Sequence, residues 1–327
     1  MENIQILEIR SELGAGTRGA SLGIGAMKVA SLKMNDTYFA HYPLHLVPNE
    51  NEILFRPSST TRHAKHIKGI LKVYNYVADA MDQLLTEGTQ FLTILSGDHS
   101  SAGASIAGLR KAYPDKRLGV VWVDAHADLH TPYTTPSGNV HGMPLAASLG
   151  FDNLDMRRNN LSPELNVYWE QLKRVGDISP KIYPEDLVFI GLRDTEKEEN
   201  FLIDQHKVKV FEVPEVQEKG ALRIAEETLH YLQNCDMIYV SFDVDSMDSN
   251  LVSEGTGTPV PNGLTPEEAR KLLCRFAQED RLKCMEVTEV NPLLDNKRNL
   301  MAETAFSILR SVTDTVEERL RKQVVTD

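Results

Sequence analysis

Leu118-Gly119-Val120-Val121-Trp122-Val123-Asp124-Ala125-His126-Ala127-Asp128 passes from an unbroken apolar run straight into an alternation of carboxylate and imidazole. A strand that is apolar at nearly every position, rather than at every second one, is buried on both faces, as in a parallel sheet flanked by helices. Met237-Ile238-Tyr239-Val240-Ser241-Phe242 repeats the pattern and ends in Asp243-Val244-Asp245. Phe91-Leu92-Thr93-Ile94-Leu95 repeats it again, with Gly97 letting the chain turn off the strand before His99. In open α/β sheets ligands bind beyond the carboxyl ends of the strands. Three such ends carrying acids and histidines therefore point to a fold and a site together.

Further β-rich runs lie at 4–9, 187–191, 208–213 and 284–290. Helical patterns lie between several of them. The clearest covers 63–85, where Ile67, Ile70, Leu71, Tyr74, Val77, Ala78, Met81 and Leu84 recur at spacings of three and four. Another covers 221–232, and a third starts at Thr265-Pro266-Glu267-Glu268, where Thr265 can cap, Pro266 suits the first turn and Glu268 can close a capping box. This alternation predicts an α/β fold with a mostly parallel sheet. No repeat, low-complexity tract or linker divides the 327 residues, so a single domain spanning 1–327 is expected. The stretch 152–184 is polar and irregular and reads as a surface excursion.

Charge and cysteine content narrow the function. The 35 basic and 47 acidic residues give a net charge of −12, which disfavours nucleic acid and anionic membranes and suits a small cationic substrate. Cys235, Cys274 and Cys284 are odd in number and lack C-x-x-C spacing, so they read as reduced structural thiols. No basic segment leads into an apolar stretch near Met1, and no apolar run approaches the roughly 20 residues of a membrane helix. A cytoplasmic location is expected.

If the three strand ends converge, Asp124, Asp128, Asp243 and Asp245 bring four carboxylates to one place, a repulsion tolerated only with protonation or a metal. Two divalent cations would cancel it. His99, Asp124, His126, Asp128, Asp243 and Asp245 form a ligand set suited to a bridged pair. Carboxylate and imidazole without thiolate favour Mn²⁺, with Zn²⁺ or Co²⁺ as competitors. A two-metal site lowers the pKa of a shared water and readies it for attack on a carbon electrophile. A lone Asp-x-Asp at a strand end is more often a loop start or a cap. Asp-x-His-x-Asp resists that explanation, because an extended backbone would point all three side chains to one side. His41, His45, His63 and His66 lack carboxylate companions and read as surface residues.

Ser-Gly-Asp-His99-Ser, Asp124-Ala-His126-Ala-Asp128, Ser137-Gly-Asn139-Val-His141-Gly, Ser241-Phe-Asp243-Val-Asp245, Gly257-Thr258-Pro259 and Glu289-Val-Asn-Pro292 together resemble the ordered signature motifs of the ureohydrolases. The likeness runs from the glycine-rich segment 14–25 to the C-terminal helix. It implies a three-layer α/β/α fold on a mainly parallel eight-stranded sheet, two Mn²⁺ per subunit on the six ligands above, and a homotrimer or homohexamer. The segments 135–142 and 289–292 look more like those of arginases than of agmatinases, which implies hydrolysis of L-arginine to L-ornithine and urea.

A guanidinium carbon is deactivated by resonance, so its hydrolysis needs a metal-activated hydroxide and a fixed cation. Asp128 is expected to orient that hydroxide as well as ligate, Glu289 to pair with the guanidinium, and His141 to carry a proton to the leaving amine. Thr135, Ser137 and Asn139 suit a loop gripping the amino-acid end of the substrate. Two departures from the resemblance fall at that end: His130 stands where arginases typically have asparagine, and Glu196 where an aspartate is expected. They make a hydrolase of agmatine or guanidinobutyrate the main alternative. A zinc amidohydrolase of the deacetylase type needs fewer acidic ligands, and a catalytically silent metal-binding protein does not need His141.

Overall fold

The structure, a computed structural model, describes residues 3–56 and 61–326. In chain order the main elements are β1 (Ile4–Ile9), α1 (Gly23–Lys33), α2 (Tyr38–His41), β2 (Leu44–Leu46), α3 (Ile67–Thr86), β3 (Phe91–Ser96), α4 (Ala102–Ala112), β4 (Leu118–Val123), α5 (Pro144–Leu149) and α6 (Pro163–Lys173). They continue with β5 (Leu187–Ile190), α7 (Lys197–His206), β6 (Lys209–Phe211), α8 (Val213–Lys219), α9 (Ala221–Tyr231), β7 (Met237–Asp243), α10 (Pro266–Ala277), β8 (Leu282–Thr288) and α11 (Leu300–Thr326).

The strands form one eight-stranded sheet in the order β2-β1-β3-β8-β7-β4-β5-β6, and every pairing is parallel. All residues of β3, β4 and β7 are buried, which is the physical content of their continuous apolar sequence. One face is covered by α1, α9, α10 and α11 through residues such as Met27, Ile224, Phe276 and Phe306. The other is covered by α3, α4, α5 and α6 through Val77, Ile106, Leu145 and Trp169. The result is the three-layer α/β/α fold. Its four central strands, β3, β8, β7 and β4, all deliver their carboxyl ends to the same edge.

Several boundaries differ from the sequence reading. The first helix on that pattern starts at Ile67, because His66 is held at φ 57 and closes a turn instead of extending the helix. The run 284–290 is shifted to Leu282–Thr288, which leaves Glu289 just beyond the strand. β2 is a three-residue edge strand, too short for a periodic signal. The stretch 152–184 is more than a surface excursion: Ser162 caps α6 by accepting from Leu165 N at 3.2 Å, and α6 buries Leu165, Trp169 and Leu172. The capping box at α10 is present, with Glu268 N donating to Thr265 Oγ1 at 3.2 Å and Thr265 N to Glu268 Oε2 at 2.8 Å. Among the described residues no helix is long and apolar enough to cross a membrane.

Candidate metal centre

At the end of β3 the chain turns sharply at Gly97, where a Cβ would lie 2.1 Å from the Ser11 carbonyl oxygen. Asp98 then fixes the turn, accepting from Ser100 N at 2.8 Å and Gly14 N at 3.0 Å. This presents His99 inward. Its ring stacks on Trp122 with centroids 4.2 Å apart, and its Nε2 lies 2.7 Å from Ser241 Oγ. The opposite nitrogen, Nδ1, stands 3.0 Å from Asp124 Oδ2 and 3.1 Å from both Asp128 Oδ2 and Asp243 Oδ2.

These close approaches lack hydrogen-bond geometry: His99 Nδ1, Asp124 Oδ2 and Asp128 Oδ2 are buried with no hydrogen-bond partner. Buried polar atoms are normally paired. Lone pairs aimed at a common point are what a cation needs, so the residues fit a metal. His99, Asp124 and Asp128 form one group that could hold an ion, and Asp124, His126 and Asp245 form a second. Asp124 belongs to both. It turns Oδ2 to His99 and Oδ1 to His126, whose Nδ1 is 3.5 Å from Asp124 and 3.0 Å from Asp245 Oδ2.

Three of the four carboxylates also titrate as crowded groups do, whereas burial would raise Asp124 but His126 and His99 outweigh it and hold it low. Burial, then the Asp124 charge, lifts Asp128 to about 6. Burial, then Asp245 and Asp124, lifts Asp243 well above the carboxylate range. Burial alone would lower His99, but Asp124, Asp128 and Asp243 outweigh it and raise the imidazole. A divalent cation relieves that repulsion directly.

The six expected ligands are therefore together, though not by the expected route. β4 ends at Val123, His126 N folds back onto Asp124 Oδ1 at 2.7 Å, and Asp128 sits at φ 51. A tight turn, not an extended alternation, gathers the three side chains.

A cavity of about 250 Å³ opens over this cluster. It is lined by His130, Thr135, Ser137, Asn139, His141 and Glu196, together with every expected ligand except Asp124. Two larger grooves, of about 670 and 1060 Å³, lie elsewhere and hold neither ligand group. Glu289, at φ 65, accepts from His99 N at 2.9 Å and faces His141 Nδ1 at 3.1 Å through Oε1. Its Oε2 is buried and unpartnered. Burial opposes a charge on His141, but Glu289 outweighs it and raises the imidazole above its usual value.

In the loop 135–139 Thr135 Oγ1 accepts from Gly138 N, Ser137 Oγ from Asn139 N, and Asn139 Oδ1 from Lys65 Nζ. The side chain of His130 is 10% exposed. Its Nδ1 is 3.2 Å from Thr134 Oγ1 and its Nε2 has no partner, standing 3.6 Å from Glu196 Oε2. Burial pushes His130 down to about 4, so the ring is neutral at pH 7.

Three contributors, Asp194, Glu199 and Arg193, were not singled out from sequence, and Thr258, quoted within Gly257-Thr258-Pro259, carried no assigned role there. Asp194 places Oδ2 3.5 Å from His126 Nε2, and Thr258 Oγ1 donates to Asp245 Oδ2 at 3.0 Å. Glu199 caps α7 while accepting from Leu129 N at 3.1 Å. Arg193 donates to the carbonyls of Gly191, Asp245, Ser246 and Val260, binding the loop after β5 to the loop after β7. Asp194 and Glu199 lie in the same short segment as Glu196 and could have been found there. Arg193 carried no signal, since all its partners are backbone carbonyls.

A sequence model of the Arginase family matches residues 2–313. The arginase of Bacillus caldovelox is 34% identical over 315 residues, covering 95% of this chain and 98% of that one, and its crystal structure superposes with a TM-score of 0.80. The arginase of Bacillus subtilis is 32% identical, covering 95% of this chain and 98% of that one, with a TM-score of 0.77. The structure of Entamoeba histolytica arginase in complex with L-ornithine is 25% identical, covers 95% and 98% of the two chains, and gives a TM-score of 0.80. With matched family sequence, shared fold and convergent His/Asp cluster, the chain belongs to the arginase family of hydrolases, the ureohydrolases.

Proposed function

We propose that this protein hydrolyses L-arginine to L-ornithine and urea, using two Mn²⁺ held by His99, Asp124, His126, Asp128, Asp243 and Asp245. The observation that carries the reading is the pair of ligand groups sharing Asp124 beneath a small cavity lined by polar side chains. Oxygen and imidazole ligands without a thiolate suit Mn²⁺. When bound, the ions supply Lewis acidity that lowers the pKa of water toward neutrality and offset the charge of four carboxylates.

The chain's own residues do the rest. Asp128 orients the attacking water as well as helping to hold an ion. Glu289 offers its unpartnered Oε2 to the guanidinium and keeps a proton on His141 Nδ1. His141 lines the cavity and delivers a proton from Nε2 to the amine nitrogen as its bond to the guanidinium carbon breaks. Neutral His130 donates from Nε2 to the substrate carboxylate, while Glu196 receives the α-ammonium group. Both would recognise an amino acid, and the same two residues make agmatine or guanidinobutyrate the second reading.

The test is urea release from L-arginine, agmatine, guanidinobutyrate and guanidine after preincubation with Mn²⁺, beside an Asp128→Ala control. A preference for L-arginine of at least about tenfold in kcat/KM is expected, with activity absent from the control. Preference for another compound would transfer the assignment to that substrate. Turnover of none of them would end the enzymatic reading.

A further inference from the structure

Glu286 is fully buried in β8, the strand between β3 and β7. Its carboxylate meets hydroxyls rather than a cation. Ser96 Oγ donates to Oε1 at 2.6 Å, and Ser105 Oγ and Tyr239 OH donate to Oε2 at 2.5 and 2.7 Å. Burying an unpaired carboxylate costs several kcal/mol even when it is hydrogen-bonded. A well-packed apolar residue would fill the position more cheaply, so this one calls for an explanation beyond packing.

The register supplies one. Ser241 is the direct neighbour of Glu286 across the β7–β8 pair, and Tyr239, two residues earlier, points to the same face with its hydroxyl beside Ser241. Ser241 Oγ in turn contacts His99 Nε2 at 2.7 Å. A chain of polar groups therefore runs from the buried carboxylate through Tyr239 and Ser241 to one metal-facing histidine, and at its far end the Tyr239 hydroxyl donates to Glu286. The other histidine is backed differently: His126 Nε2 faces Asp194, whose side chain is 64% exposed, at 3.5 Å.

We propose that Glu286 is a positioning residue which, through Tyr239 and Ser241, holds His99 in its Nε2–H tautomer. The Nδ1 lone pair is thereby presented toward Asp124, Asp128 and Asp243, and the metal position at His99 is made tighter than it would otherwise be. The inference rests on the reading that the two ligand groups hold ions. Groups behind metal-bound histidines fix the tautomer and raise ligand basicity, and their loss costs roughly 10–100-fold in affinity.

Equilibrium dialysis of the full chain against Mn²⁺ tests it, with wild type, Glu286→Gln, Tyr239→Phe and the double variant compared. Glu286→Gln is expected to weaken one of two ions by about 10–100-fold and to leave the other within about twofold. Tyr239→Phe should weaken the same ion, and the double variant should be little worse than Glu286→Gln, because the residues act along one path. In metal-free protein, at a pH high enough to discharge the raised His99 imidazole, nitrogen NMR of His99 should show the Nε2–H form in wild type and a mixture in Glu286→Gln. Unchanged affinities in a folded Glu286→Gln, or equal weakening of both ions, would overturn the proposal. If Glu286→Gln does not fold, Tyr239→Phe, which removes one hydroxyl, decides by the same criteria. Wild type binding fewer than two ions would instead sink the two-metal reading, a result separable from any difference among variants.

Discussion

His130 and Lys181 are both buried bases, and burial lowers both, His130 to about 4 and Lys181 to about 7. For His130 the consequence is chemical. A ring that stays neutral through the physiological range adds no charge to a crowded site, and in the tautomer whose Nδ1 accepts from Thr134 Oγ1 it offers an Nε2–H to a carboxylate. Replacing it with alanine should raise KM for L-arginine roughly tenfold, the value of one hydrogen bond to a charged group. It should leave agmatine, which has no carboxylate, nearly unchanged. Equal losses on both substrates would place His130 outside recognition. For Lys181 the consequence is stability. Its Nζ donates to the Lys173 carbonyl at 2.5 Å but meets no carboxylate there. Below pH 7 the folded protein carries a buried cation. Between about 7 and 10.5 the folded state releases the proton while the unfolded state keeps it, so stability rises with pH across that window. Lys181→Met should therefore stabilise the protein by about 1–3 kcal/mol at pH 6.5, after allowing for the lost hydrogen bond, and by much less near pH 10. Urea unfolding at both pH values measures the difference, and an effect independent of pH would refute the argument.

Gly97 and Thr265 show how differently two element boundaries bear on function. A side chain at 97 meets the Ser11 backbone, which cannot step aside, and the displaced turn is the one that presents His99. Gly97→Ala should cost about 1–3 kcal/mol and also lower bound Mn²⁺ per chain. Thr265→Ala removes the cap of α10, a residue that belongs to neither ligand group and does not line the cavity, and should cost about 1 kcal/mol with metal content unchanged. Thermal unfolding together with metal analysis separates the two, and normal metal content in Gly97→Ala would show the turn to be incidental. These boundaries also mark what the sequence disclosed. The α10 capping box and the buried strands β3, β4 and β7 were legible because local chemistry and tertiary burial agree there. The start of α3 was not, since the periodicity continues to His63 while the backbone at His66 turns left-handed. Within α11, the charged run from Glu317 to Lys322 is partly used inside the molecule. Arg319 is buried and donates to the Ala277 carbonyl, and Glu317 accepts from Tyr42 OH at 2.9 Å.

Across the whole molecule, the sheet gathers at one edge a set of charges that no local interaction would assemble. The identity of the ligands was readable from strand ends, because apolar strands that stop at acids can only deliver them to the same edge of a parallel sheet. Their geometry was not readable, since the turn at 124–128 and the sharing of Asp124 depend on contacts between distant strands. Such a site is held against the stability of its surroundings. Four buried carboxylates repel one another, while the packing of the layers on either side keeps them together. Removing one of them should thus have effects of opposite sign with and without metal. In EDTA, Asp243→Asn should unfold later than wild type, by about 1–2 kcal/mol, because the wild-type carboxyl must either bear a repelled charge or take up a proton to quench it, and the isosteric amide avoids both while keeping the packing. In Mn²⁺ at about 100 times its Kd, wild type should gain about 2.7 kcal/mol by mass action and the variant clearly less, so the order reverses. Thermal unfolding of both proteins in EDTA and over a Mn²⁺ series reads the crossover. If Asp243→Asn were less stable than wild type in both conditions, the carboxylate cluster would be a source of structural stability, and the fold would not be carrying it for the sake of a cation.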